Sequence, residues 1–370
     1  MRFTLLSIVV LFAVGLMRTR ASAQDDPPPL HTEKGLKSQI VIEETETRQY
    51  LIDKKADKAL TQFLLGKYEY RRFVMGGILH GTQAVKHDPH ILDDFQLMTA
   101  MNPWDNLAIL GAVQNFDMRQ EPLTYHHRSG PIGAIYSELR TRKNGADAKA
   151  PVAVFGLTAG TQACYAQKGQ KMTFYETDPV VKKLVADTNK YFSYVADARK
   201  RGAEIEIRIG DKRANLKEDK DRKYALIVVD IAESFPFCTD LFTKEAVQEC
   251  FERLTDDGII ALHISNKYIR FEPMFAAMAE ELKLTARVWN DDAEGRHGKT
   301  ASSWVVLVRD KKTLGTLDTP PEAKQFRALG SVTGVPVWTD AKPDVWILWP
   351  NPELQALRKL LGLPTPIERW

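Results

Sequence analysis

Cysteine is scarce in this chain. There are three, Cys164, Cys238 and Cys250, and none lies in a CxxC pair. An odd count with no such pairing makes no disulfide framework. They read as buried or free thiols, with a single Cys238–Cys250 bridge as the alternative. A dominant charge is missing too. The 51 Lys and Arg stand against 48 Asp and Glu, a net of +3, too little to point to nucleic acid or an anionic membrane surface. The basic residues are spread out, and the run DKRANLKEDKDRK mixes both signs, as a solvated loop or helix face does. After the first 17 residues no stretch is long and apolar enough to span a bilayer. No internal repeat is visible. His80, His126 and His127 lack the carboxylate partners and spacing of a metal site, so no metal is expected.

The beginning of the chain carries its own signal. MRFTLLSIVVLFAVGLM has one early Arg and a short apolar run, and Ala21-Ser22-Ala23 fits a small-residue cleavage site. Residues 1–23 therefore read as a secretory signal peptide, with an uncleaved N-terminal membrane anchor as the alternative. An exported protein, periplasmic or secreted, is expected from either. Residues 24–38, QDDPPPLHTEKGLKS, are polar and proline-rich and read as a disordered linker. Residues 39–130 read as a small β-rich N-terminal region with turns at Gly76-Gly77 and Gly81 and an apolar, partly helical insertion over 88–118.

The rest of the chain is organised around residues 151–178. PVAVF is a continuous apolar run, as expected of a strand buried on both faces of a parallel sheet. Gly156 and Gly160 come next, allowing a tight turn into a short helix whose free N–H groups would face a ligand. The next strand, KMTFYE, ends in Glu176, about 20 residues beyond Gly156, the spacing at which an acid accepts from ribose hydroxyls. The turn GLTAGT is not a full G-x-G-x-x-G, so two structural glycines in an ordinary turn remain the plain alternative. Alternation continues: an amphipathic helix over DPVVKKLVADTNKYFSYV, the strand EIEIRIGD, the strand KYALIVVDIAES, a helix over TKEAVQECFERL with Thr243 as N-cap, and the strand DGIIALHIS. A helix over EPMFAAMAEEL and two consecutive strands, LTARVWN and SSWVVLVRD, complete it. The expected fold is α/β, a doubly wound, seven-stranded, methyltransferase-like (Rossmann-type) sheet over 131–310. Its last two strands are antiparallel, and a tail occupies 311–370.

Strand after strand ends in an acid: Glu176 with Asp178, then Asp211, then Asp230 with Glu233. In an open sheet those ends converge on one crevice. Asp178 before Pro179 also fits a helix cap. A ring of carboxylates would repel unless a cation or several donors sit among them, which suits a sulfonium, an amine or both. His263 within IIALHIS reads as a core histidine.

KMTFYETDP, EIEIRIGDKR, YALIVVDIAES and LFTKEAV, with HGTQ, TYHH and WTD, occur in an order and spacing that resembles the spermidine synthase (polyamine aminopropyltransferase) family. The nearest likeness is to bacterial spermidine synthase-like proteins otherwise fused to membrane transporter domains. The resemblance covers roughly residues 70–345, apart from the insertion. It implies aminopropyl transfer from decarboxylated S-adenosylmethionine to a small-molecule polyamine, with release of methylthioadenosine, and a homodimer. It also implies roles. Gln83 and the Tyr125-His126 pair would line the site, with Tyr125 serving catalysis. Gly156 and Gly160 would flank the methionine-derived part of the donor, Glu176 the ribose with Asp178 beside it, and Asp211 the adenine amino group. Asp230 would take the amine's proton and Glu233 would hold the cationic chain. The other readings are a methyltransferase using S-adenosylmethionine and an exported non-catalytic member that binds polyamine or nucleoside.

Overall fold

The computed structural model describes residues 28–46, 68–87, 118–230, 239–266, 269–292, 298–319, 325–330, 334–341 and 360. The signal segment, most of the 88–118 insertion, Glu233 and Cys238 lie outside these residues. Four antiparallel strands come first: β1 (His31–Lys34), β2 (Gln39–Glu46), β3 (Tyr68–Met75) and β4 (Ile78–His87), paired in that order. Gly76 and Gly77 both have positive φ and join β3 to β4 in a two-residue hairpin turn, where Cβ-bearing residues are disfavoured.

The stretch 24–38 is therefore not wholly a linker. His31–Lys34 pairs antiparallel with β2. Its polar composition suits an edge strand of alternating exposure, and its anchors are far away in sequence. Leu36 N–H donates to Asp178 Oδ2 at 2.6 Å, Lys183 pairs with Glu33 at 2.8 Å, and His31 stacks on Tyr191.

The second sheet contains β5 (Val152–Phe155), β6 (Lys171–Glu176), β7 (Glu204–Ile209), β8 (Tyr224–Val229), β9 (Leu254–His263), β10 (Thr285–Asp291), β11 (Ser302–Val308) and β12 (Arg327–Ala328). Their spatial order is β12-β10-β11-β9-β8-β5-β6-β7. Strands β7, β6, β5, β8 and β9 are parallel, while β11 runs antiparallel between β9 and β10. That reversed strand marks the sheet as methyltransferase-like, as expected, and the two-residue β12 adds an eighth strand at the edge. Every residue of β5 and β8 is buried, and alternate side chains feed opposite faces. Val154 and Val228 join one apolar cluster; Phe155 and Val229 join the other.

The helices are α1 (Pro131–Thr141), α2 (Pro179–Lys182), α3 (Tyr194–Lys200), α4 (Lys212–Glu218), α5 (Lys244–Arg253) and α6 (Glu272–Glu281). Thr243 caps α5 through Ala246 N–H, as its position suggests. The single helix expected over 178–195 is broken instead. It runs as α2, a π turn over Lys183–Asp187 and then a break at Asn189, whose φ of 49° no helix tolerates. The described residues of the tail are not separate from the sheet. It supplies β12, and Trp338 is fully buried in the apolar cluster of Phe271 and Val288. The WTD motif closes this packing: Asp340 takes Arg213 at 2.7 Å and the Thr243 hydroxyl at 2.7 Å.

Cys164 and Cys250 are free and buried, so Cys250 forms no bridge to Cys238. Among the described residues no helix is long and apolar enough to cross a membrane, and no cluster of three or more metal-ligating side chains occurs.

Candidate active site

Strands β5 and β8 are parallel neighbours from which the chain departs in opposite directions along the sheet, the switch point where open α/β sheets bind ligands. Gly156 comes directly after β5 and Asp230 directly after β8. The Asp230 N–H donates to Phe155 O at 2.9 Å, holding the two ends together. Gly156 has φ +105°, and a Cβ there would collide with the Asp230 carbonyl oxygen. The neighbouring strand therefore demands this glycine. Gly160, with φ +77°, packs where a Cβ would sit 3.0 Å from Val185 and 3.1 Å from Val195. It leads into a five-residue 3-10 turn, Thr161–Tyr165, and not the helix expected there. The N-terminus of that turn is too short to carry a helix dipole of consequence. Gly81 of HGTQ lets β4 pass over the glycine turn, since a Cβ there would meet Ala159 Cβ at 2.5 Å. The N-terminal sheet thus lies directly on the glycine turn.

Asp230 is 1% exposed and stands at the centre of a polar cluster. Its Oδ2 meets His126 Nε2 at 2.6 Å and accepts from Gln162 Nε2 at 2.9 Å. Its Oδ1 faces His263 Nδ1 at 3.4 Å. Burial alone would raise this carboxyl, but the imidazoles of His126 and His263 overcome it and hold Asp230 well below the ordinary carboxylate range. The ring of Tyr125 lies 4.1 Å from that of His126 and stacks 4.3 Å from that of His263, which in turn stacks on Trp304. Burial and the charge of Asp230 push the Tyr125 phenol well above its ordinary value.

A further layer fixes these groups. Tyr165 donates its hydroxyl to His126 O at 2.5 Å, and Tyr136 donates to Gln162 Oε1 at 2.9 Å. The two tyrosine rings stack 4.3 Å apart, and the guanidiniums of Arg128 and Arg140 lie 5.6 Å from the Tyr165 ring centre. Burial raises both phenols well above the usual range, so they remain neutral donors.

Other residues expected at the site fall into two groups. Glu176 is the last residue of β6, and Asp211 follows β7 by two residues. Glu176 is buried and accepts from Leu157 N–H at 2.9 Å and Asp178 N–H at 3.0 Å, so it braces the glycine turn from below. Asp211 is exposed and accepts from Ala214 N–H at 2.7 Å as the cap of α4. Asp178, Gln83 and Tyr125 are engaged by the protein itself. Asp178 caps α2 through Val180 N–H and anchors the β1–β2 turn with its other oxygen. Gln83 donates to Arg119 O and Ser193 Oγ and accepts from Ser193 N–H, which uses the whole amide to tie β4 to the start of α3. The Tyr125 hydroxyl donates to His80 O at 3.0 Å, so this residue brings its ring, and not its hydroxyl, to Asp230.

Gln162 and His263 are the members of the cluster that the sequence reading misses. His263 is no mere core histidine: its Nε2 meets Ser265 Oγ at 2.8 Å and its Nδ1 faces Asp230. The available signal is its place at the end of the strand after KYALIVVD, one strand over from Asp230 in a parallel sheet. Gln162 carries no comparable signal.

No family model matches the chain, and no curated protein matches it. Among solved structures it is similar to a probable spermidine synthase from Corynebacterium glutamicum, at 14% identity over 82% of this chain and 91% of that one, with a TM-score of 0.45. It is also similar to spermidine synthase from Thermotoga maritima, at 15% identity over 90% and 87%, with a TM-score of 0.40. A third likeness is to the O-methyltransferase TomG from Streptomyces achromogenes, at 13% identity over 49% and 81%, with a TM-score of 0.35. The strand order of the chain's own sheet, and not these likenesses, identifies the fold.

Proposed function

We propose that this chain transfers an alkyl group from an S-adenosyl sulfonium to an amine, and that the reaction is aminopropyl transfer from decarboxylated S-adenosylmethionine to a polyamine. The observation that carries the reading is Asp230: a carboxyl 1% exposed, held below the ordinary carboxylate range by the imidazoles beside it, at the switch point of a methyltransferase-like sheet. A buried negative charge there favours a sulfonium and an ammonium over their neutral analogues. It loses little as the sulfonium becomes a neutral thioether, because the product amine takes over the positive charge.

The remaining residues suit the donor. Each oxygen of a carboxylate has two acceptor sites, so Glu176 can take ribose hydroxyls while keeping its two backbone donors. The Asp211 oxygen that does not cap α4 is available to the adenine amino group. Glu233, four residues past the end of β8, is assigned the far ammonium of the acceptor on the resemblance of its motif. Holding amine and sulfonium in line supplies most of the acceleration in a displacement of this kind.

The test is product analysis. The full chain is incubated with putrescine and either decarboxylated S-adenosylmethionine or S-adenosylmethionine, and the nucleoside product is weighed by mass spectrometry. Methylthioadenosine is expected from the decarboxylated donor. S-adenosylhomocysteine in its place makes the chain a methyltransferase, and neither product with either donor overturns the reading.

A further inference from the structure

The hydrogen-bond partners around Asp230 allow an assignment of the cluster's protons in which each hydrogen bond has a donor and an acceptor. Ser303 N–H donates to Ser265 Oγ at 2.8 Å, so the Ser265 hydroxyl is free to donate to His263 Nε2, also at 2.8 Å. His263 then carries its own proton on Nδ1, the atom facing Asp230 Oδ1 at 3.4 Å. Tyr136 occupies the oxygen of the Gln162 amide, which directs its NH2 group to Asp230 Oδ2. An ionised Asp230 can only accept, so His126 donates from Nε2 across 2.6 Å. That leaves His126 Nδ1 with a lone pair. The side chain is 0% exposed, and among the described residues Nδ1 has no hydrogen-bond partner. Asp230 Oδ1 and His263 Nδ1 also make no hydrogen bond but face each other at 3.4 Å, whereas among the described residues no polar group answers His126 Nδ1, and a buried polar atom left so calls for an explanation.

We propose that His126 Nδ1 is the atom that accepts the proton of the incoming amine, and that Asp230 positions and charges this ring without meeting the substrate itself. The inference rests on the amine-transfer reading above and changes the residue that acts as base. The acceptor arrives as an ammonium, which has no lone pair to attack with. One N–H bond breaks and its proton passes to His126 Nδ1, giving an imidazolium whose Nε2–H remains bound to Asp230. The freed lone pair forms the new C–N bond as the C–S bond breaks. The C–S electron pair stays on sulfur as a neutral thioether, and the product is a secondary ammonium. The imidazolium then returns its proton to water. The titratable groups around this ring are Asp230, directly after β8, and Tyr125 beside it, with Tyr165 at its carbonyl; His263 from β9 lies across Asp230 and stacks on Tyr125.

Two measurements decide the point. In the first, nitrogen NMR is recorded on the full-length chain with 15N-labelled histidine, with and without putrescine in the presence of methylthioadenosine. A proton on Nε2 of His126, none on Nδ1 at neutral pH, and an Nδ1 resonance that moves when putrescine is added are expected. A proton on Nδ1 in the free protein, or an Nδ1 resonance that putrescine leaves unmoved, overturns the proposal. In the second, His126→Gln, which can keep a donor to Asp230 but has no basic nitrogen, is compared in turnover. A loss of about 10²- to 10⁴-fold in kcat, with donor binding retained and the acidic limb of the pH–rate profile gone, is expected. Turnover within a few-fold and an unchanged profile overturn the assignment of the base while methylthioadenosine release upholds the transfer. A chain that releases no methylthioadenosine overturns the transfer reading alone, and the Nδ1 resonance still decides whether that atom accepts.

Discussion

Asp230 has its oxygens shared among His126, Gln162 and His263. Asp230→Asn removes the charge but keeps the shape, leaving the N–H donors of His126 and Gln162 without their charged acceptor. A loss of about 3 to 5 kcal/mol is expected for breaking a buried pair from one side, read as a lowered urea midpoint. The sign with pH is set by the direction of the shift. The folded carboxyl lies below its ordinary 3.8, so the unfolded chain binds the proton more readily. The stabilisation is complete above about pH 4 and is lost as pH falls towards the folded value. Acid titration of the wild type should therefore show a loss of stability below pH 4 that Asp230→Asn lacks; parallel curves for the two would count against an ionised Asp230 in the folded state. Gly156 is a second single-residue test. Its positive φ and the Asp230 carbonyl above it leave no room for a methyl group. Gly156→Ala should cost at least about 2 kcal/mol, and a thermal midpoint within a degree of wild type would contradict that packing.

At the scale of elements, the N-terminal sheet and the doubly wound sheet meet through a few specific contacts. Gly81 passes over the glycine turn, Gln83 ties β4 to α3, and Asp178 joins α2 to the β1–β2 turn. Asp178→Ala removes a cap worth about 1 kcal/mol and frees the β1–β2 turn. Hydrogen exchange should show amides of β1 and β2 losing protection while those of β8 keep theirs, and uniform loss across both sheets would contradict local anchoring. These contacts also explain what could be read from the sequence. Strands such as KYALIVVD are legible because burial on both faces writes itself as an unbroken apolar run. Thr243 and Asp178 are legible as caps because capping is local. The β1 strand is not, since its anchors at Asp178, Lys183 and Tyr191 lie more than a hundred residues away. Nor are the roles of Gln83 and the Tyr125 hydroxyl, because the groups that occupy them, Ser193 and His80 O, are brought there only by the fold. The Asp230 carboxylate is legible at a strand end; the side chains around it converge only in the fold, His263 from β9, Gln162 from the turn after Gly160 and His126 from the turn before α1.

For the whole molecule, the sheet order places the site and the tail secures the sheet. Arg327 and Ala328 add β12 beside β10 and Trp338 is buried against Phe271, while Asp340 clamps Arg213 and Thr243. Trp338→Ala should cost about 3 to 5 kcal/mol, seen as a lowered thermal midpoint, and a loss under about 1 kcal/mol would make the tail an appendage. On the function proposed, the carboxyl ends of β5, β6 and β7 hold an adenosyl thioether or sulfonium beside Asp230. The measurement that tests it most directly is calorimetric titration of the chain with methylthioadenosine, repeated with Glu176→Ala and Asp211→Ala. Micromolar binding is expected in the wild type and lost in both variants, with their thermal unfolding still cooperative. No heat at millimolar ligand, or binding unchanged in both variants, would contradict it.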